Sequence, residues 1–237
     1  MKLKKKYILI GIIIVILLII GIIIFTQKNI GLFVEIGDET KFRDEYEVLN
    51  NQKTSDNKYY PKVELSSNNV KYLTIEETID ILKNGSGVIY IGYAECLYCR
   101  SAIQVLVDTA KDEELEHIYY LDISSLWDLK EIEDNNIVTK VEAHEKYNTL
   151  LEELGDELLE PYILTNNVGE KIDTNEKRVV APSVLFVVDG EIVSYNLGTL
   201  FSQDDPYQVL NDDQVKGLSE IYRYGIKDVV SSLKSEK

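Results

Sequence analysis

The chain has 237 residues, of which 25 are basic and 41 acidic, for a net charge of −16, and two of them are cysteines. Binding a polyanion needs clustered Lys and Arg that displace counterions, so this balance excludes nucleic acid as a partner, and equally a domain lying flat on anionic lipid. Two cysteines three positions apart close too small a loop to stabilise a domain much by restricting the unfolded chain.

The N-terminus reads as a membrane anchor. Lys2, Lys4, Lys5 and Lys6 precede an uncharged stretch over residues 7–27 whose centre is Ile, Leu, Val and Gly. A helix needs about 20 apolar residues to cross the hydrocarbon core, and this stretch suffices. Lysines on one side place the N-terminus in the cytoplasm and the remainder outside. A cleaved signal peptide is the competing reading. It is disfavoured because the apolar run exceeds an ordinary h-region and Phe25, Thr26, Gln27 and Lys28 form no small-residue cleavage site. No cysteine follows the run, which argues against a lipid anchor. Residues 1–28 hold five lysines and no acids, so the outside part carries 20 basic and 41 acidic residues, a net −21. That acidity reads as a solvated surface.

Residues 29–69 are polar with scattered aromatics and read as a stalk, with local order around residues 42–49. The organised domain is expected over residues 70–237. Thr74 and Glu77 form a capping box that starts a helix, and Ile75, Ile79 and Leu82 mark its inner face. Residues 84–87, Asn-Gly-Ser-Gly, break it. Residues 88–93 are a short apolar run of the kind buried on both faces of a sheet. Cys96 and Cys99 follow, opening a helix that runs to about Lys111. Residues 117–123 are a second strand. Strands separated by crossover helices imply parallel neighbours.

Residues 124–159 read as helical, with Leu126, Leu129 and Ile132 at steps of three, then Tyr147, Leu150, Leu151 and Leu154, and Gly155 weakening or ending the run. Residues 161–177 are turn-rich and suggest a loop or small hairpin. Residues 179–188 form a strand around Pro182, and Asp189-Gly190 is a hairpin turn into the next strand. A last helix over residues 212–233 is expected to bury Val215, Leu218, Ile221 and Tyr222.

The chemistry centres on Cys96-Leu97-Tyr98-Cys99, between a strand and a helix. A thiolate attacks a disulfide, and a thiol at a helix N-terminus is acidified by unpaired N–H groups and the helix dipole. Cys96 is therefore the better nucleophile. Cys99, one turn inside, can resolve a mixed disulfide. Arg100 adds positive charge and Glu95 opposes it, so their net effect stays open. A structural disulfide, or two buried thiols, is the competing reading of the pair. A metal centre would need further ligands, and His117 and His144 lie at no helical spacing from either cysteine. No metal or cofactor is expected. A cis bond before Pro182 would make a tight turn and expose the Ala181 backbone for pairing with substrate.

The order helix, strand, C-x-x-C helix, strand, helix, proline-led strand, Asp-Gly hairpin, helix resembles thioredoxin over residues 70–235. Tyr90-Ile91-Gly92 followed by Cys96-Leu97-Tyr98-Cys99-Arg100 resembles the bacteriocin transport accessory proteins of Gram-positive bacteria. The resemblance implies an α/β thioredoxin-like fold, a central mixed sheet flanked by helices, with a helical insertion over residues 124–178. It makes Cys96 the attacking cysteine, Cys99 the resolving one and Pro182 the cis-proline, with Ala181 beside it in substrate binding. The site also departs from the family. Glu95 stands where thioredoxins carry tryptophan, the preceding strand offers no buried carboxylate, and Leu-Tyr is neither Gly-Pro nor Pro-His. The direction of redox chemistry is therefore not carried over.

The resulting expectation is a membrane-anchored, extracytoplasmic thiol–disulfide oxidoreductase. Its clients are cysteine-containing secreted or surface polypeptides, and reduction would draw electrons from a membrane partner because the outside is oxidising. The alternative is a non-catalytic docking protein for a transporter or cell-envelope complex, with a structural disulfide.

Overall fold

The computed structural model describes residues 37–134 and 136–235. The anchor expected over residues 1–28 lies outside them. Among the described residues, no helix is long and apolar enough to cross a membrane.

Five strands form the central sheet: β1 (Val70–Tyr72), β2 (Gly87–Gly92), β3 (Ile118–Asp122), and two later ones, Ser183–Val188 and Glu191–Leu197. Numbering in chain order makes the last two β8 and β9, after the hairpin strands β4 to β7 described below. The sheet order is β1-β3-β2-β8-β9. β3 runs parallel to both β1 and β2, while β8 is antiparallel to β2 and β9. The sheet is therefore mixed.

Alternation along the strands sorts side chains into two buried layers. Val88 and Tyr90 of β2, Tyr120 of β3, and Val184 and Phe186 of β8 face one layer. Ile89, Ile91, Leu121, Leu185 and Val187 face the other. Both layers are apolar because helices cover both faces, which is why these strands read as continuous apolar runs. The first layer is closed by α1 (Asp38–Glu47), α3 (Leu97–Asp112) and α5 (Asp212–Ser235). The second is closed by α2 (Ile75–Asn84) and α4 (Tyr147–Leu154).

Local signals place several elements as expected. The Thr74–Glu77 capping box is formed in both directions at the start of α2. Asp189 and Gly190 both have positive φ, 51° and 79°, as the tight hairpin turn between β8 and β9 requires. Gly155, at φ 76°, ends α4.

Three expectations need correction. The stalk does not hold from residue 38 onward, because that segment is part of the domain. Phe42 and Tyr46, one turn apart on α1, are fully buried against the sheet, and Val63 and Leu65 join them. The polar residues there hydrogen-bond the domain: Asp38 accepts from Tyr72 N at 3.1 Å and Glu47 from Leu65 N at 2.6 Å. Asn50 exchanges two bonds with the Val63 backbone.

The insertion is not mainly helical. It consists of two hairpins, β4 (Leu129–Glu133) with β5 (Asn136–Val141) and β6 (Leu159–Thr165) with β7 (Lys171–Val179), separated by α4. In β4 the half-buried Lys130 and Ile132 alternate with the exposed Leu129, Glu131 and Glu133, and Asp134 turns the chain at φ 48°. Steps of three put Leu129 and Ile132 on opposite faces of this strand, Leu129 exposed and Ile132 half-buried, so the helical spacing misleads here.

On α5 the buried stripe is Leu218, Tyr222, Gly225, Ile226 and Val229, while Val215 and Ile221 are exposed. The helix is rotated because Gly225 lets it sit directly on Phe186. A Cβ at Gly225 would lie 2.3 Å from the Phe186 ring. Alanine in a helix ordinarily gains about 1 kcal/mol over glycine. Here overpacking against a central-strand ring outweighs that gain, and Gly225→Ala is expected to destabilise by about 1–3 kcal/mol. Thermal unfolding of the full-length chain measures it, and an unchanged or higher Tm would refute the tight contact.

Candidate functional site

The dithiol sits at the junction of β2 and α3. The strand delivers the chain to the edge of both core layers, and Tyr93, Ala94 and Glu95 turn it into the helix. Cys96 is the N-cap of α3, in extended conformation (φ −71°, ψ 118°). Its Sγ accepts a hydrogen bond from the Cys99 backbone N–H at 3.2 Å. The sulfur thus occupies the position of a capping oxygen, facing donors that the first helical turn leaves free. Both cysteines are free thiols.

The two sulfurs differ sharply in surroundings. Cys96 is half-buried, whereas Cys99 is fully buried in the layer between β2 and α3. The Cys99 side chain hydrogen-bonds Cys96 and lowers its pKa. The backbone N–H groups of Cys99 and Tyr98 act in the same direction, against the cost of burial. Cys99 is pushed well above the ordinary thiol range, first by burial, then by its bond to Cys96 and the negative charge there. A half-buried sulfur with a lowered pKa beside a fully buried one with a raised pKa is an arrangement that can separate attack from resolution.

Arg100 and Glu95 do not decide this balance. Glu95 is exposed, and the Arg100 guanidinium turns inward, away from the sulfurs. Nε donates to Pro61 O at 2.7 Å, Nη1 to Tyr46 O at 2.8 Å and Ala94 O at 3.2 Å, and Nη2 to Asn50 Oδ1 at 2.8 Å.

The Ala181–Pro182 peptide bond is cis. It brings the half-exposed Ala181 carbonyl to 3.5 Å from the Cys96 sulfur. Pro182 is itself buried, its carbonyl held by Gly198 N at 2.7 Å at the end of β9. The four residues singled out from the sequence, Cys96, Cys99, Ala181 and Pro182, therefore meet in one place, 85 positions apart along the chain between Cys96 and Ala181.

The sequence matches no known protein family, and neither curated proteins nor solved structures match it. The site must be read from its own geometry.

That geometry adds residues that the sequence did not single out. Gly92 leaves room beneath the dithiol: a Cβ there would stand 2.7 Å from the Tyr90 hydroxyl and 3.1 Å from the Cys99 sulfur. Tyr90 is fully buried and donates to Cys99 O at 3.1 Å. Its hydroxyl also meets that of Tyr46 on α1 at 3.1 Å. The pairing of Phe42 and Tyr46 at helical spacing was the available signal for this contact. At the other side, Trp127 packs edge-on against Tyr93 with ring centres 5.6 Å apart, and Arg178 stacks over Trp127 and Tyr162. The segment that precedes β4 therefore abuts the approach to Cys96. Among the described residues, no group of three His, Cys, Asp or Glu side chains is placed to hold a metal ion.

Proposed function

We propose that this chain is a thioredoxin-like thiol–disulfide oxidoreductase, held at the outer face of a membrane by its N-terminal residues, that exchanges disulfides with cysteines of secreted or surface polypeptides. The observation that carries the reading is the unequal pair: an accessible acidified thiol capping a helix and a buried basic thiol one turn inside it. The mixed sheet order, with the dithiol at the end of its middle strand, and the cis-proline beside the nucleophile support the thioredoxin-like assignment. The bacteriocin transport accessory proteins remain the group whose motif the site resembles, and a peptide leaving the cell is the client they suggest.

In this reading, the Cys96 thiolate attacks a client disulfide and forms a mixed disulfide. Cys99 then attacks Cys96, releasing the client reduced and leaving the protein oxidised. The reverse sequence oxidises a client dithiol. The half-exposed Ala181 backbone, its carbonyl 3.5 Å from the Cys96 sulfur, offers an extended client segment a place to pair as a short strand.

Equilibration with glutathione buffers tests the proposal. A catalytic pair is expected to titrate above about −300 mV, in the range of known oxidoreductases. A potential below that would mark a structural disulfide and favour the docking-protein alternative.

A further inference from the structure

The turn that carries Cys96 and the turn that carries Ala181 belong to separate parts of the chain. Their spacing sets where a client disulfide lies when its backbone pairs at Ala181. The Cys96 sulfur stands 3.5 Å from the Ala181 carbonyl. Tyr93 opens the first turn, and its carbonyl accepts from Cys96 N at 3.3 Å. Arg178, next to last in β7, leads through Val179 and Val180 into the second.

One side chain bridges the two turns. The Arg178 guanidinium lies 4.6 Å from the Trp127 ring centre and 3.7 Å from that of Tyr162. Trp127 in turn packs edge-on against Tyr93, with ring centres 5.6 Å apart. Tyr93, Trp127 and Ala181 all rest on the same buried layer. Hydrogen bonds fix the frame around this stack. Arg178 Nη2 donates to Asp128 O at 2.9 Å, and the Tyr162 hydroxyl accepts from Lys130 N at 3.0 Å. Just beyond Arg178, Val179 N donates to the Tyr147 hydroxyl of α4 at 3.3 Å.

Polar partners alone do not account for an arginine here. Its Nε is buried and has no partner among the described residues. The Asp128 carboxylate, 3.5 Å from Arg178 Nη2, is shared with Lys130 at 3.4 Å. What the guanidinium supplies is a flat cation that lies over aromatic rings and still donates from its edge.

We propose that Arg178 is a positioning residue for disulfide exchange: stacked on Trp127, it holds the turn from Tyr93 to Cys96 in register with the cis-proline turn, so that a client paired at Ala181 presents its disulfide to the Cys96 sulfur. The inference rests on the oxidoreductase reading above. It gives the hairpin insertion a task at the site, since Trp127 precedes β4, Tyr162 lies on β6 and Arg178 on β7. Losing the Arg178 side chain leaves the N-cap of α3, which acidifies Cys96, in place. It shifts the client relative to the sulfur, and a misplacement of about 1 Å costs as much as roughly 100-fold in rate.

Two probes with the same leaving group separate this role from a structural one. Dithiobis(nitrobenzoate) needs only the Cys96 sulfur. A synthetic extended peptide whose single cysteine is joined to thionitrobenzoate also uses the Ala181 backbone. The Cys96 thiolate attacks the peptide sulfur, thionitrobenzoate leaves with the electron pair of the broken bond, and Cys99 then frees the peptide thiol. In the full-length chain, Arg178→Met is expected to slow thionitrobenzoate release from the peptide about tenfold more than release from the small disulfide, with the pH midpoint of Cys96 alkylation unchanged. Trp127 is the only tryptophan in the chain, so its fluorescence reads the clamp directly and should move to longer wavelength in the variant. Trp127→Leu is expected to show the same discrimination between probes, and it decides the matter if Arg178→Met does not fold. Equal slowing with both probes, no slowing with either, unmoved Trp127 emission or a shifted alkylation midpoint overturns the positioning role while the oxidoreductase reading stands. An unaltered chain that never frees the peptide thiol overturns the reading itself, and the inference with it.

Discussion

Cys96→Ser is expected to end disulfide exchange, and Cys99→Ser to stop it halfway. Removing a nucleophile that begins a covalent sequence costs at least roughly three orders of magnitude in rate. The serine at position 96 has no thiolate to offer, so no mixed disulfide forms. With Cys99→Ser the first step is intact and the second impossible, so client polypeptides should accumulate as adducts on Cys96. Non-reducing electrophoresis of cell-surface extracts reads both results. Equal trapping by the two variants, or none by either, would overturn the assignment of roles. The pH dependence gives a second check. The Cys96 pKa is lowered, first by its bond to Cys99, so the thiolate persists to lower pH than in a free cysteine. Alkylation of Cys96 should therefore rise through a midpoint below about 8.5, the value for an unperturbed thiol.

The dithiol and its strand–helix setting were legible because both are local. A buried strand, a two-residue gap and a helix start occupy consecutive residues, and the capping geometry of Cys96 follows from its place one residue before the helix. The Asp189-Gly190 turn and the Thr74–Glu77 box are legible for the same reason: each satisfies its own backbone within a few residues. Pro182 stood out because a proline heading a strand needs an explanation.

What escaped the sequence was held together by distant partners. The segment from Asp38 to Leu65 looked like a stalk because its composition is polar. Its acids and amides are polar because they bond the backbones of Tyr72, Leu65 and Val63 and the hydroxyls of Tyr72 and Tyr120. Only Phe42, Tyr46, Val63 and Leu65 betray the packing, and they are widely spaced. The β4–β5 hairpin lost to a helical reading because Leu126, Leu129 and Ile132 at steps of three fit the helical period, while its largely exposed strands carry no apolar alternation to show a period of two. Tyr90 read as one more apolar strand residue, since its hydroxyl partner Tyr46 comes from α1, 44 positions away.

Arg100 gives the largest expected effect on stability. A guanidinium with no exposure is costly unless its N–H groups are all met. Here four of the five bond acceptors on separate parts of the chain: Tyr46, Asn50 and Pro61 of the N-terminal segment, and Ala94 before the dithiol. Aliphatic replacement, Arg100→Met, keeps much of the volume and removes every donor. Three backbone carbonyls and one side-chain amide oxygen lose that partner, and each buried loss costs about 1–3 kcal/mol. Partial relaxation of the exposed loop near Pro61 trims the total, giving an expected destabilisation of about 3–5 kcal/mol. Arg100→Lys keeps the charge, but a single ammonium cannot span acceptors set around a planar fork, so it recovers a minor part. The Arg100 backbone N–H also bonds Cys96 O at 3.1 Å, within the first turn of α3. Losing the side-chain anchor should loosen that turn, withdraw the N–H groups that acidify Cys96 and raise its alkylation midpoint toward that of free cysteine. Chemical denaturation together with the alkylation profile measures both effects. An Arg100→Met chain as stable as the original would show that the guanidinium does not join the N-terminal segment to the dithiol helix.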